Sequence, residues 1–363
     1  MELNRFKKNI AVILSVALAL LISFIIILFV SDEPLNALKA FILGPFSTSR
    51  RFGNLIEKTI PLIFTGLAAS VMFQAKQFSL IADGAFVIGG LVATILALKL
   101  NLPPILTILI IFIMSSIAGG ACALIPAYLK SRWKTNEFVV SMMMNSILQL
   151  FALYILLNVI RDPNSGFVAS FLIPEKYHLP ILIPGTRIHF GLIIAPIVTI
   201  LAYIMIYKTK LGYNIRMVGF NPNFALYSGA KLSFIIFIVQ IIGGIVAGLG
   251  GAVEILGMYD RYQWQTSPGL GFDGMTVAIL ASNNPLMVPL GALFIAYIRT
   301  GADVMARTSE VPNEMVYIIQ GLVMIFITAN LLVSLLKDRK INRNMNTQVA
   351  NGASEGGNNG TAI

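Results

Sequence analysis

Charge is what this chain lacks most. Only 12% of its 363 residues are charged against 57% hydrophobic, and the mean hydropathy is +0.82. Soluble domains carry about 25% charged residues, so the composition excludes one and indicates an integral membrane protein. Cysteine is nearly absent as well, and the lone Cys122 excludes an internal disulfide. It sits in the small-residue run AGGACA and reads as a helix-packing residue. With two histidines, no HExxH and no Cys/His cluster, a zinc site has no ligands, and no metal is expected. No Gly-Lys pair occurs, which excludes a phosphate-binding P-loop. If ATP drives this protein, another chain hydrolyses it. In GLGFDG, Phe272 interrupts the Gly-x-Gly-Asp order of intramembrane aspartyl proteases.

What is present is a succession of apolar segments near 10–30, 59–75, 84–100, 103–127, 137–160, 189–207, 232–256, 272–284, 285–305 and 315–336. Each approaches the length of about twenty residues that a helix needs to cross a bilayer. The expected fold is therefore an all-α polytopic membrane protein of about ten transmembrane helices. The segment 272–284 is short for a crossing and contains Asp273, Ser282 and Asn283. Residues 1–340 are read as one transmembrane domain, and 341–363, rich in Asn and Gly, as a disordered tail.

Basic residues set the orientation. Arg5, Lys7 and Lys8, then Lys76, then Lys130, Arg132 and Lys134, then Lys208, Lys210, Arg216 and Lys231, and finally Lys337, Arg339, Lys340 and Arg343 fall on one side when the N-terminus is inside. This satisfies the positive-inside rule and places both termini in the cytoplasm. The net charge of +10 then reflects topology and anionic lipid, and no nucleic-acid partner is expected. The first span follows Arg5, Lys7 and Lys8 without a cleavage site and reads as an uncleaved anchor. Residues 31–58 and 161–188 are long external segments, the first containing the helix-like LNALKAFILG. His178 and His189 read as surface histidines. Trp133 and Trp264 read as interfacial anchors, with Trp264 also able to stack a ring-shaped ligand.

Within the basic loop 208–231 the sequence predicts a complete short helix. Asn221 caps it, Pro222 suits its first position, and Gly229 closes it in a left-handed conformation. Phe224 and Tyr227 share one face, and a helix of two turns is marginal alone in water. That face must rest on the protein's own helix ends or on a partner.

Acids inside apolar segments need water or a partner. Asp83, Glu254 and Asp273 are the cases here. Asp83-Gly84 and Asp273-Gly274 each open a segment in corresponding parts of the two halves, which suggests an inverted repeat of segments 2–5 and 7–10 with broken helices meeting near the midplane. The alternative is that each Asp caps the helix it opens. Glu254 has no such role and reads as pore-lining or substrate-facing. Asn136, Glu137, Ser141 and Asn145 form a polar stripe, a feature that packs helices more often than it lines a path. Met142, Met143 and Met144 read as packing residues.

Three stretches carry a family resemblance: NPNFALYSGA after the basic stretch, TNEFVVSMMMNSI after a charged turn, and the block 254–336 that begins EILGMYDRYQWQTSPGLGFDG. Together they resemble the permease subunits of nucleoside and simple-sugar ABC importers, in the branch that works with basic-membrane-protein-type lipoprotein receptors. The likeness covers roughly residues 55–336. It implies a vitamin B12 importer-like permease fold, a second permease subunit in a heterodimer, and an ABC ATPase with two nucleotide-binding domains that holds the ATP and Mg. This chain would carry no cofactor of its own. The resemblance places the ATPase-coupling helix on Asn221, Pro222, Phe224, Ala225, Tyr227, Ser228 and Gly229. It aligns Asp83-Gly84, Asn136-Glu137, Asn145, Glu254, Arg261, Pro268-Gly269, Phe272-Asp273-Gly274 and Asn284-Pro285 with recurrent positions, although many relatives have Glu-Gly where Asp83-Gly84 stands. The expected function is nucleoside import across a bacterial cytoplasmic membrane, with cargo handed over by an extracytoplasmic lipoprotein. Asp83, Asn145, Glu254, Trp264 and Asp273 are the expected substrate-pathway residues. A permease for ribose-like sugars is the nearest alternative, and an ion-coupled secondary transporter a more distant one.

Overall fold

The computed structural model describes residues 33–309 and a few single positions beyond them. Residues 39–305 form one compact unit, and 1–38 with 306–363 another. The predicted first and last spans and the tail 341–363 fall largely or wholly outside the described residues. Among those described, the chain forms α-helices and no strand.

The helices are α1 (Pro34–Leu43), α2 (Ser49–Gln74), α3 (Ile81–Lys99), α4 (Pro104–Trp133), α5 (Glu137–Asn158), α6 (Gly191–Lys208), α7 (Lys210–Phe220), α8 (Pro222–Tyr227), α9 (Leu232–Met258), α10 (Leu270–Leu280) and α11 (Val288–Thr308). Among the described residues, seven helical segments are long and apolar enough to cross a membrane: α2 to α6, α9, and α11 with the turn that precedes it. Two differences from the sequence reading concern boundaries. Helix α2 starts at Ser49, capped by the Thr48 side chain accepting from Arg51 N at 3.2 Å, so residues 49–58 of the expected external segment are helical. The expected crossing at 272–284 contains a helix of only eleven residues, α10. At 1.5 Å per residue it is about 16 Å long, half the hydrocarbon thickness.

Helix α9 is the axis of the bundle, packing on α4, α3 and α2. It can do so because its glycines let backbones approach. A Cβ on Gly248 would stand 2.9 Å from Gly119 Cα of α4, and one on Gly89 of α3 would stand 2.6 Å from Gly248 Cα. On the side facing α2, Gly243 lies against Met72 and Gly250 against Phe64. Lipid is as apolar as a leucine side chain, so close van der Waals approach of small residues supplies the association that hydrophobicity cannot. The outer helices show the converse. Of the most apolar window of α2, 89% is buried, whereas α5 buries 22% and presents Val139, Met143, Ile147, Leu150 and Phe151 outward to the hydrocarbon.

The ends of the bundle differ in charge. At the basic end, Lys130 pairs with Glu137 at 2.6 Å, while α7 packs beneath α2 with Gly219 against the Gln74 backbone. Helix α7 lies within the basic loop 208–231, where the sequence predicts only the shorter helix that follows; the Thr209 hydroxyl caps it by accepting from Gly212 N at 3.0 Å. At the far end the segment 159–190 closes over the helix termini. Tyr177 is fully buried and donates to Leu100 O at 2.7 Å, Arg261 pairs with Asp162 at 2.6 Å, and Leu179 N donates to Leu256 O at 2.8 Å.

Candidate functional site at a broken membrane crossing

Residues 259–280 cross the bundle in two parts, an extended stretch followed by the half-length helix α10. The stretch starts at the far end, where Tyr262 and Ser170 exchange hydrogen bonds, Tyr262 N to Ser170 Oγ at 2.9 Å and Ser170 N to Tyr262 O at 2.9 Å. It then descends beside α3. Gln149 donates to Trp264 O at 3.4 Å, and Ser267 reaches Asp83 at 2.5 Å. Helix α10 runs on to the basic end, where Asn283 O accepts from Ser70 Oγ at 2.8 Å and Gln74 Nε2 at 2.6 Å. Non-helical backbone at membrane depth survives only where protein groups satisfy it, and Gln149, Asp83 and Ser170 do that here.

Asp83 is therefore a cap, though not of its own helix. Its carboxylate accepts from Ser267 Oγ and from Gly271 N at 2.9 Å, which joins the start of α3 to the start of α10. Negative charge is favourable at that N-terminus, where unpaired N–H groups and the helix dipole point. Asp273, in the first turn of α10, pairs with Arg299 of α11. The two acids thus lock α10 against α3 and α11.

The polar stripe of α5 packs helices. Glu137 accepts from Phe78 N at 3.3 Å, Ser141 from Leu80 N at 2.9 Å and Asn145 from Gly84 N at 3.0 Å, while Asn145 also donates to Leu80 O at 2.9 Å. Asn136 caps α5 itself through Phe138 N at 3.0 Å. All but the last serve the non-helical entry to α3.

Trp264 corrects the reading as an interfacial anchor. It is 7% exposed, its ring stacked on Phe86 with centroids 5.4 Å apart and met edge-on by Tyr259 and Tyr262. Trp133 is 67% exposed. Glu254 lies one turn before the end of α9, buried, with Oε2 lacking a hydrogen-bond partner. It faces Glu57 of α2 and Tyr259. Burial first, and then the Glu254 carboxylate, pushes the Tyr259 hydroxyl above its ordinary pKa, so it remains a donor. Glu57 escaped the sequence reading because it was assigned to the external segment; a seven-residue step back from Phe64 along α2 would have put it on the face toward Gly250.

His189 also departs from expectation. It is fully buried, its Nδ1 accepting from Gly191 N at 3.1 Å, and burial lowers its pKa to about 4. Among the described residues no group of acids, histidines or cysteines is placed to hold a metal ion.

The short helix in the basic loop forms where the sequence puts it. Asn221 Oδ1 accepts from Asn223 N at 3.0 Å and Phe224 N at 3.1 Å, Pro222 opens it, and Gly229 has φ +84°. Ala225 is buried beneath it, whereas Phe224 is 57% and Tyr227 90% exposed. Neighbouring Phe220 is also exposed. The aromatic face does not rest on this chain's own described helix ends.

Among the described residues, seven helices able to span a membrane and a broken crossing held by buried acids define a multi-pass membrane protein. Residues 51–328 match the family described as the permease component of branched-chain amino acid transport systems, and the chain belongs to that family. It is similar to the glucose ABC transporter permease protein TsgB13 of Haloferax volcanii, at 28% identity over 87% of this chain and 86% of that one. It is likewise similar to the guanosine ABC transporter permease protein NupP of Bacillus subtilis, at 29% identity over 79% and 83%. The nucleoside ABC transporter permease protein NupB of Lactococcus lactis subsp. cremoris is 25% identical over 92% and 94%. No solved structure matches the chain.

Proposed function

We propose that this chain is the transmembrane subunit of an ABC importer that carries nucleosides across the cytoplasmic membrane. The observation that carries the cargo assignment is the aromatic set of buried Phe86, Trp264 and Tyr262 with partly buried Tyr259, near Glu254, whose Oε2 has no hydrogen-bond partner. Flat aromatic rings suit a nucleobase, and a carboxylate accepts from ring N–H and ribose hydroxyl groups. The two nucleoside-permease relatives support the same reading across most of their length. Glu254 and Trp264 would meet the cargo, joined by Glu57, while Asp83, Asn145 and Asp273 would frame the pathway by positioning α3 and α10.

In this reading residues 1–340 form one permease domain with ten spans, an inverted repeat of segments 2–5 and 7–10, and the vitamin B12 importer-like arrangement. The tail 341–363 and both termini are cytoplasmic. The partners are a second permease subunit, an extracytoplasmic substrate-binding lipoprotein, and an ATPase with two nucleotide-binding domains that holds ATP and Mg. The ATPase docks on Phe224 and Tyr227, with Asn221, Pro222, Ala225, Ser228 and Gly229 shaping the helix that presents them. Transport requires that the ATPase bind the outward- and inward-facing states unequally.

A sugar cargo is the second reading, favoured by the similarity to a glucose permease. The deciding experiment reconstitutes the complex in proteoliposomes with its receptor and follows labelled guanosine, ribose and glucose. ATP-dependent guanosine uptake supports the proposal, sugar uptake alone supports the second reading, and uptake without ATP returns the secondary-transporter alternative.

A further inference from the structure

Outside the broken crossing, the surface between α4 and α9 holds a groove of about 340 Å³ lined by Leu124, Ile125, Tyr128, Leu129 and Phe237. Every lining side chain is hydrocarbon or aromatic. Leu124, Ile125 and Tyr128 are 44%, 52% and 54% exposed on the side that faces the bilayer. The helices run antiparallel, and Gly120 lies against Ile241 and Ile245. Counting outward from that contact, Phe237 falls opposite Leu124 and Ile125, and Arg132 opposite Lys231. Both cations are exposed. By that count they fall at the basic end of the groove, Arg132 one turn beyond Tyr128 on α4 and Lys231 at the start of α9. Trp133 is exposed there as well and meets Tyr128 edge-on at 6.4 Å, the pairing of aromatic rings expected at headgroup level.

We infer that this groove is a binding site for one anionic glycerophospholipid of the leaflet at the basic end, with an acyl chain along Leu124, Ile125, Tyr128, Leu129 and Phe237 and the phosphate between Arg132 and Lys231. The inference needs only the bilayer and is independent of the cargo reading. An apolar groove with two exposed cations placed by the helix register beyond its basic end matches the two parts of such a lipid in order and polarity. Two cations near an anionic surface favour the charged headgroup by about tenfold or more over a zwitterionic one.

The test is native mass spectrometry of the purified protein titrated with phosphatidylglycerol and phosphatidylcholine of the same acyl chains. The first phosphatidylglycerol should bind about tenfold more tightly. Arg132→Gln with Lys231→Gln should remove most of that preference while acyl-chain binding persists. Ile125→Trp, which fills the groove, should weaken both lipids. Phosphatidylglycerol brominated on its acyl chain should quench Trp133 in the wild-type protein and less in Ile125→Phe, which narrows the groove without adding an indole. All three positions are on the surface, and gel filtration identifies a variant that has misfolded, in which case the quenching of the folded double-glutamine variant decides. Equal binding of the two lipids, an unchanged preference in the double variant, or efficient cross-linking of Ile125→Cys in a Cys122→Ala background to another chain of the complex would overturn the proposal.

Discussion

Asp83, in the first turn of α3, accepts the backbone N–H of Gly271 at 2.9 Å, so a carboxylate on one membrane helix caps the start of another 188 residues away. The same oxygen pair takes the Ser267 hydroxyl. A half-length helix that begins inside the bundle cannot leave its first N–H groups to lipid, and Asp83 is what they meet.

Replacing Asp83 by Ala should leave the Gly271 N–H and the Ser267 O–H without their acceptor, at about 1–3 kcal/mol. Asp83→Asn keeps an acceptor and should cost less. Melting temperatures in detergent should fall in the order wild type, Asn, Ala. If the Ala variant melts with the wild type, the cap does not hold α10.

Glu254→Gln keeps size and one acceptor and removes the charge. Expression and complex assembly should be normal and uptake reduced by about tenfold or more, the scale of a hydrogen bond to a charged group. Loss of assembly would instead make Glu254 a structural partner of Glu57 and Tyr259. Unchanged uptake would take it out of the pathway.

Replacing Phe224 and Tyr227 together with Asp should leave the spans inserted, because both side chains are exposed in the isolated chain. Co-purification of the ATPase and uptake should both be lost, since charge would be buried in the docked interface. Retained ATPase would assign the exposed aromatic face another role.

Topology can be read by labelling. In a Cys122→Ala background, a cysteine at Asn164 should react with a membrane-impermeant thiol reagent in intact cells and one at Asn351 should not. Reaction at Asn351 would mean an odd number of spans, with the broken crossing at 259–280 the first place to recount.

His189 makes stability depend on pH. Its pKa of about 4 in the fold lies below the ordinary value near 6.5, so the unfolded chain takes up a proton first as pH falls. Stability should therefore be lost as pH drops from about 6.5 towards 4, by at most ~3 kcal/mol. His189→Gln has no such proton to bind. The wild type should lose more of its melting temperature than this variant between pH 7.5 and 4.5.

The features legible in the sequence are those set by neighbouring residues. Hydropathy over about twenty residues marks a span wherever the chain later packs, and Asn221, Pro222 and Gly229 cap and close α8 through bonds within a few residues. What only the tertiary structure decided depends on which distant groups meet. Asp83 could have capped α3, and whether it does or instead reaches Gly271 turns on how closely α10 approaches, which Gly271 itself permits by lying against the Asp83 backbone. The stripe Glu137, Ser141 and Asn145 was visible, but its partners Phe78, Leu80 and Gly84 belong to another helix entry. His189, Trp264 and Glu57 were placed at the surface or outside because loop composition says nothing of what folds over it. The segments 159–190 and 259–269 bury them by pairing backbone to backbone at a distance, and no local pattern encodes a pairing of that kind.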